Sequence, residues 1–283
     1  MKKKKRSYRL LYPVVIWMTC FFLIPVALMV LVSFFTRGEF GEVIYSFNLE
    51  SYIRFMDPLY LNILLKSLII ALFTTVICLV FAYPFAFFIG RSPKKFRGPL
   101  IMLVMLPFWT NSLIRTYAWI ILLRTEGIIN SYLIKLNFIS EPLKLLYTNT
   151  SVLIGMVYMM FPFMVLPIYS SVEKIDKSLI EAASDLGANP FKNFARIIWP
   201  LTMPGVMAGA LLVFVPTLGY FFIPDLMGGS KVILISNLIK NQYLMARDWP
   251  FGSAISVILI VVILIIIGGY FKITKSKYKD KVM

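Results

Sequence analysis

The sequence contains no histidine and only two cysteines in 283 residues. Without histidine there is no Ser-His-Asp or Cys-His catalytic pair and no His-ligated metal site. Cys20 and Cys78 both fall inside apolar runs, so they frame neither a disulfide scaffold nor a metal cluster. Charge is scarce as well: 15% of the residues are Asp, Glu, Lys or Arg, where water-soluble chains carry about 25%. None of the 13 carboxylates lies within a long apolar run. Proton- and sodium-coupled transporters and intramembrane aspartyl proteases rely on a carboxylate at membrane depth, so both classes lose ground.

What is present is hydrophobicity in blocks. Apolar residues make up 59% of the chain and the mean hydropathy is +0.82, which excludes a soluble enzyme. A membrane-crossing helix needs about 20 mostly apolar residues. Five uncharged runs exceed that length: 10–36, 67–90, 145–172, 197–224 and 249–271. A sixth, Gly98 to Ile114, is followed by Arg115 and eight more uncharged residues, and counts as a span whose outer end carries an arginine. The spacing predicts an all-α polytopic membrane protein with six transmembrane helices. The first run follows six basic residues but is too long for a signal peptide, whose apolar region has about 7–15 residues; it reads as an uncleaved first helix. Pro25, Pro84, Pro107, Pro162, Pro167 and Pro216 sit inside the runs, where helix bending is the expected effect.

A formal net charge of +16 could indicate a nucleic-acid partner, but its placement decides otherwise. Segments assigned alternately to the two sides carry 19 Lys/Arg on one side and eight on the other. Lys and Arg in short loops stay cytoplasmic, so both termini are expected there. The excess is an orientation signal and a contact with anionic lipid, with no nucleic acid required.

The most informative segment is the cytoplasmic loop Glu173 to Pro200. Asp176 or Ser178 is suited to cap a short helix, with Glu181 three residues after Ser178 in a capping-box arrangement. Gly187 supplies a positive-φ stop. Asn189-Pro190 starts a second helix, which Pro200 is expected to end near the membrane. Such a helix-turn-helix is either a plain surface loop or a docking element. The small Ala182 and Ala183 permit close approach of a partner, and Leu186, Phe191 and Phe194 offer apolar area.

These residues resemble the EAA motif of ABC-type import permeases, E-A-A-x3-G-x9-I-x-L-P, with Glu181, Ala182, Ala183, Gly187, Ile197 and Pro200 at the pattern's spacing. Trp199 replaces the pattern's leucine, apolar for apolar. The stretches 107–115, 225–229 and 247–252 look like those of PotB-type permeases of bacterial spermidine/putrescine importers, as do 57–60 and 201–205. The resemblance implies the type I ABC importer transmembrane fold, an ATPase-coupling role for the loop, and no catalysis in this chain. ATP and Mg are then bound by a cytoplasmic ATPase dimer of the PotA type. A PotC-like second permease and an extracytoplasmic PotD-like binding protein complete the machine in the bacterial inner membrane. Gly228-Gly229-Ser230-Lys231 lacks the spacing of a phosphate loop and is expected to be a flexible external loop. The expected organisation is a basic cytoplasmic tail (1–9), a first transmembrane helix (10–36), an external segment (37–62), a five-helix core (63–271) containing the coupling loop (173–200), and a second basic tail (272–283).

A polyamine cation needs carboxylates, carbonyls or hydroxyls and aromatic faces along its route. Candidate pathway residues are Trp109, Asn111, Ser112 and Tyr117 in the third span, Phe163 in the fourth, and Tyr220 and Asp225 at the end of the fifth. Trp119, Tyr158, Phe221, Asp57 and Asp248 are looser candidates; an interfacial role accounts equally well for the aromatic residues, and a hydrated interfacial carboxylate for Asp57, Asp225 and Asp248. Arg115 argues against a bare cation path and is expected to pair with a carboxylate or carbonyl, or to snorkel. Alternatives are the same architecture carrying another organic cation, an amino acid or an iron chelate, and an ATP-independent secondary transporter.

Overall fold

The computed structural model describes residues 12–279, without the side chains of Phe271 and 273–279. The tail expected at 1–9 and the last four residues lie outside the described residues. In chain order, helix α1 (Tyr12–Met18) passes through a π-helical turn (Thr19–Leu23) into α2 (Ile24–Val32). A two-residue antiparallel pair follows, β1 (Thr36–Arg37) with β2 (Val43–Ile44), and then α3 (Glu50–Phe55) and α4 (Pro58–Arg91). Next come α5 (Lys94–Met105), α6 (Ser112–Leu123), α7 (Ile128–Lys135) and α8 (Asn149–Glu173). The remaining helices are α9 (Lys177–Asp185), α10 (Pro190–Asn193), α11 (Trp199–Gly219), α12 (Ile235–Leu244) and α13 (Trp249–Lys279).

Among the described residues, five helical stretches are long and apolar enough to cross a membrane: Tyr12–Val32, Pro58–Arg91, Asn149–Glu173, Pro190–Gly219 and Trp249–Tyr270. The expected third span is instead two helices of 12 residues, α5 and α6, joined by a 3-10 turn at Leu106–Trp109. Pro107 has no N–H to continue the ladder, Thr110 is extended at φ −86° and ψ 150°, and Asn111 caps the new helix by accepting from the Leu113 amide at 2.8 Å. Pro84, Pro162 and Pro167 break nothing: α4 and α8 run through them. Helix α4 starts at Pro58, nine residues before the uncharged run 67–90 begins, and so contains Lys66.

Contacts divide the chain into two compact units, one of 63–237 and one of 1–62 with 238–283. In the first, α8 is the axis. Val152, Met156, Met160, Met164, Ile168 and Val172 recur every fourth residue and are all essentially buried, one continuous ridge of the helix. Helix α11 packs along α8, and small residues let the backbones approach. A side-chain carbon on Gly209 would meet the Met164 sulfur at 2.8 Å and its carbonyl oxygen at 3.2 Å, and Gly205, one turn away, faces Pro167 and Ser171. The loop after α6 is closed by Asn130, 1% exposed, whose amide nitrogen donates to the carbonyls of Arg124, Thr125 and Leu143 while its oxygen accepts from Leu143.

In the second unit, α13 packs against α2 and α3. Arg54 on α3 pairs with Asp248 at 2.9 Å and lies 4.1 Å from the centre of the Phe251 ring. Asp248 also caps α13 by accepting from the Phe251 amide at 3.1 Å. Burial works against the Arg54 guanidinium, but its hydrogen bonds to Tyr60 and Asp248 outweigh it and hold the pKa above the usual arginine value. The outward faces of α1 and α2 are apolar and exposed, with Trp17 at 61% and Phe21 at 70%, as a lipid-facing helix requires.

Candidate functional site

The loop between α8 and α11 folds as two short helices joined at a glycine. Asp176, not Ser178, is the cap of α9: its carboxylate accepts from the Ser178 amide at 3.1 Å, and the Ser178–Glu181 capping box expected from the sequence does not form. That hydrogen bond holds the Asp176 carboxyl below its ordinary pKa. Gly187 has φ +79°, and the amides of Gly187 and Ala188 close onto the carbonyls of Ser184 and Ala183, both at 2.9 Å, as the sequence led us to expect. Asn189 then caps α10 by accepting from the Lys192 amide at 2.8 Å. The two helices are tied by the Asn193 side chain, which donates to the Ser184 hydroxyl at 3.0 Å.

Pro200 does not end the second helix. The helix continues from α10 through a π-helical turn (Phe194–Ile198) into α11, a 30-residue run. In that turn the Trp199 amide bonds to the Phe194 carbonyl, one residue further back than in an α-helix. The widened register accommodates the missing N–H of Pro200 without breaking the helix. Ile197 and Pro200 are half-buried in this stretch. Trp199, where the motif has leucine, packs its ring 5.2 Å from Tyr83 of α4, and Phe194 lies 5.6 Å from the same ring. The root of the loop is thereby fixed to α4, and a cavity of about 660 Å³ lined by Phe87, Arg91, Ile180, Glu181 and Phe194 lies beside it.

The tip is the opposite. Glu181 and Ala182 are exposed, Leu186 and Phe191 stand 90% and 77% exposed, and open space surrounds Gly187. A short helix with a rigid cap at each end and an apolar, uncovered tip has the form of a peg for a complementary groove.

The expected pathway residues do not gather into one site. Trp109 and Tyr117 are exposed at 73% and 53%, Asn111 is the cap of α6, and the Ser112 carbonyl accepts from the Thr116 hydroxyl. Phe163 packs edge-on against Phe108 at 5.3 Å, and Tyr220 lies tilted against Phe222 at 5.0 Å. Asp225 is not an open carboxylate: it accepts a short hydrogen bond from Asn237, whose amide also donates to the Phe221 carbonyl. Asp248 is a buried ion-pair partner rather than a hydrated interfacial group, and Asp57 caps α4 through the Leu59 amide. The 228–231 segment is a tight turn rather than a flexible loop, with Gly228 buried against Val152 and Val232.

A cavity of about 550 Å³ lies instead between α4, the broken third span and α8, walled by Phe85, Phe108, Trp119, Tyr158 and Phe161, with Arg115 at its side. None of the seven main pathway candidates lines it, but two of the looser ones, Trp119 and Tyr158, do. Phe85 and Phe161 carry no sequence signal that distinguishes them from other apolar span residues. The signal available was Arg115, the one charge interrupting the sixth run.

Residues 82–274 match the model of a family described as "Binding-protein-dependent transport system inner membrane component". The chain is 48% identical over 259 residues to the spermidine/putrescine transport system permease protein PotB of Escherichia coli (strain K12), covering 92% of this chain and 94% of that protein. It is 46% identical to PotB of Haemophilus influenzae, over 92% of this chain and 91% of the relative. Its fold superposes on a bacterial ABC transporter involved in the import of the acidic polysaccharide alginate, with a TM-score of 0.77 at 16% identity, covering 97% of this chain and 96% of that one. The chain is a transport component rather than an enzyme, and it belongs to the family of binding-protein-dependent transport system inner membrane components.

Proposed function

We propose that the chain is one of two permease subunits of an ATP-driven polyamine importer, crossing the inner membrane six times with both termini in the cytoplasm. The near-full-length identity of 48% to a spermidine/putrescine permease supports the cargo. The charge distribution supports the topology, with α5 and α6 together making the third crossing. The observation that carries the coupling role is the loop with a root packed on α4 and an exposed tip, Leu186 at 90%. In this reading Glu181, Ala182, Ala183 and Gly187 form the part that inserts into a PotA-like ATPase, while Ile197 and Pro200 join it to α11. A PotC-like permease faces this chain, and a PotD-like protein delivers cargo from outside.

Coupling then follows from geometry. When the ATPase dimer closes on ATP and Mg, α9 moves with its groove, and Phe194 and Trp199 press on Tyr83 of α4. Each ligand shifts the balance between inward and outward states only by its preference for one of them. Trp109, Asn111, Ser112, Tyr117, Phe163, Tyr220 and Asp225 remain the proposed contacts along the route. Spermidine accumulation tests this reading in uptake-deficient cells expressing the chain with its ATPase, second permease and binding protein. Labelled polyamine is expected to accumulate, and accumulation of a different solute in its place overturns the cargo.

A further inference from the structure

We infer that Arg115 is completed in the assembled transporter by a carboxylate on the second permease, making the aromatic cavity an inter-subunit site. The inference rests on the reading of this chain as one of two permeases. Within the described residues, Nε and Nη1 of Arg115 are buried and have no hydrogen-bond partner. The guanidinium lies against ring faces, 4.7 Å from the centre of Phe108 and 5.8 Å from that of Tyr158. Ring faces offset part of the charge but do not accept the directed N–H bonds of a guanidinium. Arg115 is also the sole charged residue lining the cavity.

Depth narrows the sources of an acceptor. Helix α8 has 25 residues and Tyr158 is its tenth, which places that ring about 5 Å from the helix midpoint at 1.5 Å per residue. The hydrocarbon layer extends about 15 Å either side of the bilayer centre. Acyl chains at that depth carry no acceptor, and headgroup phosphates lie beyond it. This chain has no carboxylate of its own within its long apolar runs. A polyamine is a cation and leaves the N–H groups as it finds them. The remaining source of a charged acceptor is the other membrane subunit, and a carboxylate there matches the charge with short, charge-assisted hydrogen bonds, which water does not. Pairing also neutralises the one cation that would oppose a polyamine at this level.

The test uses the intact complex, and its first arm leaves Arg115 unchanged. Replacing Phe85, a cavity wall residue, with p-benzoylphenylalanine and irradiating is expected to join this chain to the second permease through a peptide containing Asp or Glu. Changing that carboxylate to its amide is expected to lower spermidine uptake as far as Arg115→Gln does, on the order of tenfold, because each leaves one charge of the pair without its partner. Arg115→Glu combined with the reverse change in the partner is expected to recover uptake. Adducts with lipid or within this chain alone, or a joined peptide without Asp or Glu, overturn the pairing. If spermidine uptake is normal beside such adducts, the transport reading stands. If the inter-subunit adduct forms but polyamine is not taken up, the cargo reading falls and the pairing stands.

Discussion

The Tyr83 and Thr202 hydroxyls hydrogen-bond across 2.8 Å inside the helix bundle. The Thr202 hydroxyl also donates to the Ile198 carbonyl at 2.9 Å, one turn back on its own helix. With Phe194 and Trp199 packed on the same ring, Tyr83 joins α4 to the root of the coupling loop.

Tyr83→Phe removes only the hydrogen bond, a loss of about 0.6 kcal/mol for a typical intramembrane pair. Uptake and thermal unfolding of the purified complex are expected to change little. Tyr83→Ala removes the ring, at about 3–5 kcal/mol for a buried aromatic, and is expected to leave ATP hydrolysis running while uptake falls. Equal loss of both activities in Tyr83→Ala contradicts a coupling role.

Gly187→Val forces a β-branched residue to φ +79°, at a cost of about 1–2 kcal/mol or more. The cap of α9 then reorganises without touching any neighbour, since open space surrounds Gly187. Membrane insertion is expected to be normal and recovery of the ATPase in a pull-down to be reduced. Undiminished recovery removes the case for this turn as part of the docking element.

Leu186→Asp and Phe191→Asp alter side chains that are 90% and 77% exposed. Surface changes of this kind shift stability by about 0.5 kcal/mol or less, whereas loss of an apolar anchor at an interface costs about 2 kcal/mol or more. The double variant is expected to fold, insert and lose at least about tenfold in ATPase affinity, measured by titrating detergent-solubilised chain with the ATPase.

Gly209→Val drives a branched side chain against Met164, whose sulfur already lies 2.8 Å from the position of the first added carbon. Overpacking of this kind costs about 1–3 kcal/mol, and a lower unfolding temperature and membrane yield are expected. Gly268→Ala, which meets nothing within 4 Å, serves as the control and is expected to cause no loss.

The sequence spacing located five long apolar helices and the turn at Gly187, because uncharged length and a positive-φ glycine are local properties. It did not separate Pro107, which breaks the third span, from Pro84, Pro162 and Pro167, which do not. That outcome depends on the residues after the proline, where Thr110 is extended and Asn111 starts a new cap. Pro200 looked like a stop for the same reason, and the π-helical turn before it absorbs its effect. Contacts between distant segments were invisible: Arg54 and Asp248 lie 194 residues apart in the chain, and Asn237 reaches back 12 residues to Asp225. The close packing at Gly205 and Gly209 was likewise not read from the sequence, because its meaning depends on α8 lying beside it.

The most direct test is uptake of labelled spermidine by proteoliposomes containing the chain, its second permease and the ATPase, with the binding protein outside and nucleotide inside. Accumulation that requires ATP, stops with ADP and is lost in the Leu186→Asp, Phe191→Asp variant is the expected result. Spermidine entry that continues without ATP or without the ATPase, or no spermidine entry while another solute accumulates, contradicts it.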